Sequence, residues 1–530
     1  MSGISPFTYT PPITDWLRIL PELILLAAVF LTLMADLALP ADRKRWLAGI
    51  GLIGVIASAL SLVYVAQLGG GASAFYGMVK MDGFAVFSGA IILFALGAGL
   101  LFSPGYLERQ RIGREGEYYA LIQLSALGMM LMASAASLML VFVGLETLSL
   151  ALYILCALPQ TRLRAQEAGM KYFILSSFAS AFLLYGISLT YGATGTTSLA
   201  GISAFLRSNQ ALTGQGFGPL LLVGMGLLIV GFCFKVSAIP FQAWTPDVYT
   251  GAPTPITAFM SVGTKVAAFA AIARVFIAAL TSQGFRWEPV FWAVAALTMI
   301  AGNLLAVSQR DVKRMLAYSS IANAGYLLVA VTTASPRAVS SLLIYLATYA
   351  VANLGAFGVV ALVERADGRG AALDDFAGLA RRNPALSAVM ALFLISLAGV
   401  PPTAGFLGKY VVFYAAMIGG QVPLAIIGVL SSVLGMFYYL RVIWAMYFVE
   451  PRVRAAAIPA PQPERELVAA GAATGDATTN GVIALEERLE ERLEERLEDS
   501  VSPALTEAPP GIPFPLGARF ALAVCAALTA

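Results

Sequence analysis

Residues 234–269 read FKVSAIPFQAWTPDVYTGAPTPITAFMSVGTKVAAF. The stretch joins two apolar segments, and each carries one lysine, Lys235 or Lys265, among residues that suit a bilayer core. Pro240 interrupts the first segment, because proline has no backbone N–H to continue a helix. Broken backbone at membrane depth is tolerated where it is buried in protein or lines a water-filled cavity. The stretch therefore predicts a broken membrane helix followed by a helix with a charge at its centre.

The composition of the whole chain extends this reading. Of 530 residues, 59% are hydrophobic and 12% are charged, about half the usual charged share. Such a chain is a polytopic membrane protein, and its net charge of +3 argues against a nucleic-acid partner. It has no histidine, and its three cysteines are isolated: Cys156, Cys233 and Cys525. We therefore expect no metal and no redox cofactor in this chain.

Apolar runs of spanning length predict an all-α bundle of about 14 transmembrane helices. The first thirteen runs fall at roughly 16–39, 46–68, 83–103, 118–136, 138–158, 168–193, 217–239, 255–280, 289–308, 314–334, 338–363, 384–420 and 421–449. The last run, 518–530, is shorter than the 20 or so residues that a span needs, so we expect an incomplete final helix.

Lysine and arginine are distributed unequally between alternate loops. One set of loops holds 17 of them and the other set holds five, Arg18, Lys80, Arg207, Arg286 and Arg337. Because positive loops stay in the cytoplasm, the first set is predicted to be cytoplasmic and the N-terminus outside. The expected location is the inner (cytoplasmic) membrane of a bacterium, with lipid around the bundle.

Five segments follow from this layout. They are a three-helix N-terminal segment (1–117), two five-helix units (118–280 and 281–450), a charged cytoplasmic insertion (451–517) and the start of the last helix (518–530). The insertion contains repeated Leu-Glu-Glu-Arg units from Leu485 to Asp499. It is either a solvated low-complexity segment or a helix that docks a partner.

Charged residues within the spans are costly, so each needs a reason. Four stand deep: Glu146, Lys235, Lys265 and Lys409. Five others lie nearer helix ends, where long side chains can reach the interface: Glu22, Asp82, Lys171, Arg274 and Arg441. Lys171 remains a candidate accessory residue, because it stands inside its helix.

The four deep charges allow two interpretations. They could form a buried ion pair that fixes helix packing, but three lysines outnumber their one carboxylate partner. A buried lysine loses its proton more readily, and a nearby carboxylate opposes that loss. Movement of Glu146 relative to a lysine could therefore take up and release a proton.

Polar residues at helical spacing accompany these lysines on three spans. Thr257 and Ser261 share a face with Lys265, and the other two sets are Ser341, Tyr345, Tyr349 and Asn353, and Ser319, Asn323 and Tyr326. Their hydroxyls could bond the helix backbone or hold buried water.

Prolines break two spans, the seventh and the twelfth. Pro240 should release the carbonyl of Val236, and Pro401 and Pro402 those of Leu397 and Ala398. Each broken span is the fourth of five if helices 4–8 and 9–13 form two repeats. Because five is odd, the repeats must be inverted, which is a transporter architecture.

Several motifs resemble the antiporter-like membrane subunits of respiratory complex I, the NADH:quinone oxidoreductase. They are residues 234–269, VGLETLSLALY (143–153), MKYFILSSFASAFLLYG (170–186), QRDVKRMLAYSSIANAGYLL (309–328) and GVPPTAGFLGKYVVF (399–413). TPDVY-x-GAP-x-P and the opening LPELILL (20–26) look most like the N-type subunits. The resemblance covers nearly all of residues 16–449.

The resemblance implies roles for individual residues. Glu146 matches the conserved acid of the fifth helix, Lys235 its ion-pair partner, and Lys265 and Lys409 the lysines of the eighth and twelfth helices. Lys171 matches a lysine at the start of the sixth helix and is an accessory candidate, as are Ser261, Asn323 and Asn353 from their polar helix faces. It also implies that the chain conducts protons and is driven by quinone reduction elsewhere in the complex. NADH, FMN, iron–sulfur clusters and quinone are then expected in partner subunits, beside neighbouring antiporter-like subunits.

Gln242 and Asn323 stand where family members commonly carry histidine. Amides do not titrate near neutral pH, so proton storage would rest more heavily on the lysines. Two other hypotheses remain open: a stand-alone or Mrp-type cation/proton antiporter, and a scaffold whose buried charges lock packing. Sodium prefers oxygen ligands, so the lysines disfavour a sodium-carrying antiporter.

Overall fold

The computed structural model describes residues 11–40, 43–68, 71, 73–213, 218–365, 370–450 and 515–530. The predicted insertion therefore lies almost wholly outside the described residues. Within them the chain is a helical bundle with one two-stranded hairpin, in which Ser73–Ala74 pairs antiparallel with Val79–Lys80.

Each of the fourteen predicted spans corresponds to a helix, which we number 1–14. Helices 1–7 are Leu20–Ala38, Trp46–Gln67, Gly83–Gln110, Glu115–Ala133, Leu138–Ala157, Leu163–Thr194 and Pro219–Val236 (7a) with Trp244–Gly251 (7b). Helices 8–14 are Thr254–Ile272, Gly284–Val307, Val312–Thr333, Pro336–Val363, Pro384–Ala398 (12a) with Ala404–Ile418 (12b), Val422–Phe448 and Leu516–Thr529.

Several shorter elements connect these helices. Ile13–Arg18 precedes helix 1, Leu199–Thr213 follows helix 6, and a π-helix, Ala273–Ala279, extends helix 8. The remainder are the 3₁₀ turns Thr281–Gln283 and Leu373–Phe376 and the short helix Leu379–Arg382. The sequence pattern did not predict the helix Leu199–Thr213.

Eleven of the described helices are long and apolar enough to cross a membrane. The other spans are helix 4, which carries two acidic residues in its first turn, the two halves of helix 12, and helix 14. Helices 8, 10 and 11 are the most completely buried of the eleven and form the centre of the bundle. The structure thus confirms the predicted all-α membrane fold.

The two broken helices end in the same way. Ser237 and Gly399 adopt left-handed backbone conformations, with φ of 63° and 83°. In each case the next residue's N–H reaches back over five residues, from Ala238 to the carbonyl of Cys233 and from Val400 to that of Ile395. This is the Schellman arrangement of a helix end. The predicted prolines therefore lie in non-helical segments that follow complete helix ends, rather than at kinks.

Close helix packing depends on glycine in both five-helix sets. A Cβ on Gly128 or Gly144 would come within 2.8 Å of the facing backbone of helix 5 or helix 4. Helices 9 and 10 meet in the same way, because a Cβ on Gly325 would lie 2.8 Å from the backbone nitrogen of Met299. The first two helices of each set thus share one mode of contact.

We expect Gly144→Ala to lower stability by about 1–3 kcal/mol, because the added methyl has no room between helices 4 and 5. Gly226→Ala is the matched control, since nothing lies within 4 Å of a Cβ at that site. Thermal unfolding of the purified protein checks both variants. Equal midpoints for the two would contradict the packing argument.

Candidate functional site

Lys235 lies at the carbonyl end of helix 7a and is 2% exposed. Its Nζ donates to the hydroxyl of Ser149 at 2.7 Å and to that of Tyr172 at 3.3 Å. Glu146 lies on helix 5, three residues before Ser149, and one of its carboxylate oxygens is buried without a hydrogen-bond partner. Hydroxyl groups, rather than the Glu146 carboxylate, therefore hold the Lys235 ammonium in this structure.

Lys265 is buried in the middle of helix 8, and its Nζ donates to the carbonyl of Val236 at 3.3 Å. Lys409, in the second turn of helix 12b, donates to the carbonyls of Leu397 at 2.9 Å and Ala398 at 3.0 Å. These are the three carbonyls that Pro240, Pro401 and Pro402 were predicted to release. Each broken helix thus presents its open carbonyl end to a lysine, where the helix dipole favours a cation.

Polar side chains link helix 8 to helix 11. Asn353 donates to the hydroxyl of Ser261 at 2.5 Å, and the Tyr349 hydroxyl donates to the backbone carbonyl of Ser261 at 3.3 Å. Tyr349 also shares a hydrogen bond of 2.8 Å with Ser320 on helix 10. Two predicted accessory residues, Ser261 and Asn353, are therefore in contact one turn from Lys265.

A small cavity separates this group from Lys409. It measures about 10 Å³, and its lining includes Asn323, Tyr345, Tyr349 and Lys409. That is close to the space needed for one water molecule. Tyr345 donates to Asn323 at 2.5 Å, so the third predicted accessory residue faces the same cavity. Hydrogen-bonded side chains and a cavity of about the size of one water thus lie between Ser261, one turn from Lys265, and Lys409.

The hydroxyls along these faces mostly bond the helix backbone. Ser261 donates to the carbonyl of Ala258 at 2.8 Å, Thr257 to that of Tyr249 at 2.9 Å, and Ser341 to that of Arg337 at 2.9 Å. Their oxygen lone pairs can still accept hydrogen bonds from other donors, as the Ser261 hydroxyl accepts one from Asn353.

Lys171 does not join the buried group. It forms ion pairs with Glu167 at 2.6 Å and with Asp247 of helix 7b at 2.8 Å, and its side chain is 40% exposed. The residue that reaches Lys235 is its neighbour, Tyr172. Gln242 lies between the halves of helix 7, where its buried side-chain oxygen has no hydrogen-bond partner.

Two charges expected to reach the membrane interface are buried instead. Glu22 is 3% exposed and Arg274 is 8% exposed. Arg274 bonds both oxygens of Asp82, at 2.7 and 3.2 Å, and the carbonyl of Ala133. Neighbouring parts of the chain therefore cover both side chains.

Sequence reasoning missed Ser149, Tyr172 and Ser432. Ser432, on helix 13, accepts from Lys409 at 2.8 Å and donates to the carbonyl of Ala398 at 3.2 Å. The i, i+3 spacing of Glu146 and Ser149 could have indicated the first of the three. The described residues contain no cluster of three or more metal-binding side chains.

An ion-pair group joins helices 6, 7b and 10 at one end of the bundle. Asp247 bonds Lys171 at 2.8 Å and Arg314 at 2.8 Å. Partial burial would raise the pKa of Asp247, but the hydrogen bonds and charges of Lys171 and Arg314 outweigh this and lower that pKa below its ordinary value.

Half-helices whose carbonyl ends face buried cations define the class as an ion-translocating membrane protein with broken helices. Residues 135–435 match the family described as NADH:quinone oxidoreductase/Mrp antiporter, transmembrane. Subunit N of NADH-quinone oxidoreductase from Trichlorobacter lovleyi is 44% identical, over 81% of this chain and 87% of its own length. The same subunit from Chloroflexus aggregans is 43% identical, over 83% and 90%.

Solved structures agree with these matches. Respiratory complex I from Thermus thermophilus contains a chain with a TM-score of 0.72 and 31% identity, covering 96% of both chains. A chain of the Mrp complex from Dietzia has a TM-score of 0.73 at 21% identity, covering 98% of this chain and 93% of its own, which shows a shared fold. The chain belongs to the subunit N family of NADH:quinone oxidoreductase, the family that its motifs predicted.

The lowered pKa of Asp247 gives its ion pairs a defined pH dependence. Their stabilisation is complete above the ordinary aspartate pKa and is lost as pH falls through the lower pKa of the folded state. Asp247→Asn should therefore lower thermal stability at neutral pH, by roughly 0.2–1 kcal/mol for each exposed pair. The difference in stability between Asp247→Asn and the unaltered protein should disappear in acid.

Unfolding midpoints between pH 3 and pH 7 test this expectation. Asp374→Asn, which removes an exposed carboxylate, is the control. A deficit of Asp247→Asn that grows as pH falls would contradict the assigned sign.

Proposed function

We propose that this chain is a proton-translocating membrane-arm subunit of NADH:quinone oxidoreductase. Family membership supports the assembly, and the two lysines that bond the broken-helix carbonyls, Lys265 and Lys409, support the role within it. The chain performs no redox chemistry itself. NADH, FMN, iron–sulfur clusters and quinone belong to partner subunits, and quinone reduction there supplies the energy.

The proposal rests on the hydrogen-bonded groups that lie between Ser261, one turn from Lys265, and the cavity at Lys409. A lysine ammonium at either site donates to backbone carbonyls, so the site can hold the charged form. Movement of a half-helix would withdraw those carbonyls from the lysine. The ammonium would then release its proton and become the neutral amine. Ser261, Asn353 and Tyr349 lie on the route between the two sites.

Glu146 and Lys235 form the other end of this line. The present contacts of Lys235, with Ser149 and Tyr172 rather than with Glu146, represent one position of the predicted switch. Approach of the carboxylate would favour the charged lysine, and withdrawal would favour release. Lys171 then acts on helix 7b through Asp247, outside the proton line.

The remaining assignments follow from the same proposal. The chain lies in a bacterial cytoplasmic membrane beside other antiporter-like subunits, with its N-terminus outside and the segment after helix 13 in the cytoplasm. The two five-helix units span residues 118–280 and 281–450. An Mrp-type antiporter shares the fold, but relatives at 40%, 43% and 44% identity are named as subunit N.

Lys265→Ala separates proton conduction from a scaffold role. We expect the complex to assemble with normal NADH-oxidising capacity and to lose proton pumping, because the amine at the centre of helix 8 is gone. Native gel migration and acidification of reconstituted vesicles measure the two properties, and Lys80→Ala, at an exposed site, is the control. Failed assembly with normal pumping by the residual complex would support the scaffold.

Tyr349→Phe tests the connection between the lysines. The change removes one hydroxyl that bonds Ser320 and Ser261, so pumping should fall several-fold while assembly is retained. Tyr185→Phe removes an exposed hydroxyl from helix 6 and should have no effect. Equal pumping by both variants would place the proton route elsewhere.

A further inference from the structure

A second group of buried charges lies where the ends of helices 3, 8, 10 and 11 meet. Glu364, at the end of helix 11, is 6% exposed, and Lys313, in the first turn of helix 10, is 2% exposed. Buried charges are costly and call for a structural or functional reason. Neither residue belongs to the lysine line described above.

The contacts of Glu364 connect it to helix 8. Its carboxylate accepts from the Tyr106 hydroxyl at 3.3 Å and from the Thr254 hydroxyl. Thr254 is the first residue of helix 8, and Lys265 follows eleven residues later, about 16 Å along the axis at 1.5 Å per residue. Thr257 and Ser261 stand between them on the same face. Glu364 is thus bonded to the start of a polar face that leads to Lys265.

Lys313 bonds the link between helices 7b and 8. Its Nζ donates to the carbonyl of Ala252 at 2.7 Å, in the link between helices 7b and 8. Its charge lies within electrostatic range of Glu364 and Asp311. Lys313 therefore fixes the beginning of helix 8 and provides a positive charge near the carboxylate.

An open polar vestibule reaches the same place. Its volume is about 320 Å³, and its lining residues are Arg164, Glu167, Ala168, Asp247, Thr250, Gly251, Asp311 and Arg314. Gly251 directly precedes Ala252, and Asp311 stands two residues before Lys313. The vestibule therefore adjoins Lys313 and the start of helix 8, at the end that the charge distribution assigns to the cytoplasm.

We propose that Glu364 takes up protons from this vestibule and delivers them to helix 8 for Lys265, while Lys313 holds the start of helix 8 in place. The carboxylate accepts a proton from hydronium and leaves water. The neutral acid then passes a proton to the Thr254 hydroxyl, which gives its own proton to water along helix 8. The final acceptor is the neutral Lys265 amine, which becomes the ammonium. This inference rests on the proposed proton translocation.

Glu364→Gln in the assembled complex tests the proposal, because glutamine keeps the size and hydrogen bonds of the side chain but cannot carry the proton. We expect normal assembly and a loss of vesicle acidification to the level of Lys265→Ala. Glu364→Asp should restore most of the pumping, and Glu117→Gln, at an exposed carboxylate near Arg114, should match the unaltered complex.

The results distinguish this inference from the function on which it rests. Full pumping by Glu364→Gln while Lys265→Ala is inactive would overturn the uptake role alone. Full pumping by Lys265→Ala would overturn the proposed function itself. If Glu364→Gln does not assemble, Thr254→Val decides: lost pumping in an assembled complex supports the route, and normal pumping overturns it.

Discussion

Backbone carbonyls exposed inside a membrane must find donors, and this constraint organises the structure. Helices 7 and 12 stop in the middle of the bundle, and water is scarce there. Lys265 supplies a donor to Val236, and Lys409 supplies donors to Leu397 and Ala398. Unpaired carbonyls at these positions would each cost several kcal/mol in hydrocarbon. The lysines and the helix breaks therefore depend on each other. A change in lysine charge also changes the hydrogen bonds that the open carbonyl ends receive.

The two five-helix units provide donors for these carbonyls in different ways. In the first unit a lysine on helix 8 bonds the open end of helix 7a, and Lys235 on the broken helix itself bonds hydroxyls. In the second unit Ser432 on helix 13 bonds the carbonyl of Ala398, and the lysine comes from the second half of the broken helix. The line of titratable groups is therefore unsymmetrical although the fold repeats. An unsymmetrical line can distinguish an input side from an output side.

Much of this arrangement could be predicted from the sequence, because prolines and charges are conspicuous in apolar runs. Spanning helices, both breaks and the deep lysines follow from local patterns. Contacts between distant helices do not: Ser149 and Tyr172 look like ordinary helix residues until helix packing brings them to Lys235. Lys313 and Glu364 resemble loop charges in the sequence, since each stands at a helix boundary. Burial by the ends of other helices gives them a different environment.

The buried lysines are proposed to release and rebind protons, rather than only to hold the broken helices. Lys409→Arg separates these two roles, because arginine keeps the charge and the donors for Leu397 and Ala398 but does not lose its proton in proteins. The measurement is the number of protons pumped per electron by the reconstituted complex. We predict normal assembly with reduced or abolished pumping. An unchanged ratio would contradict proton transfer through Lys409 and leave it a structural cation.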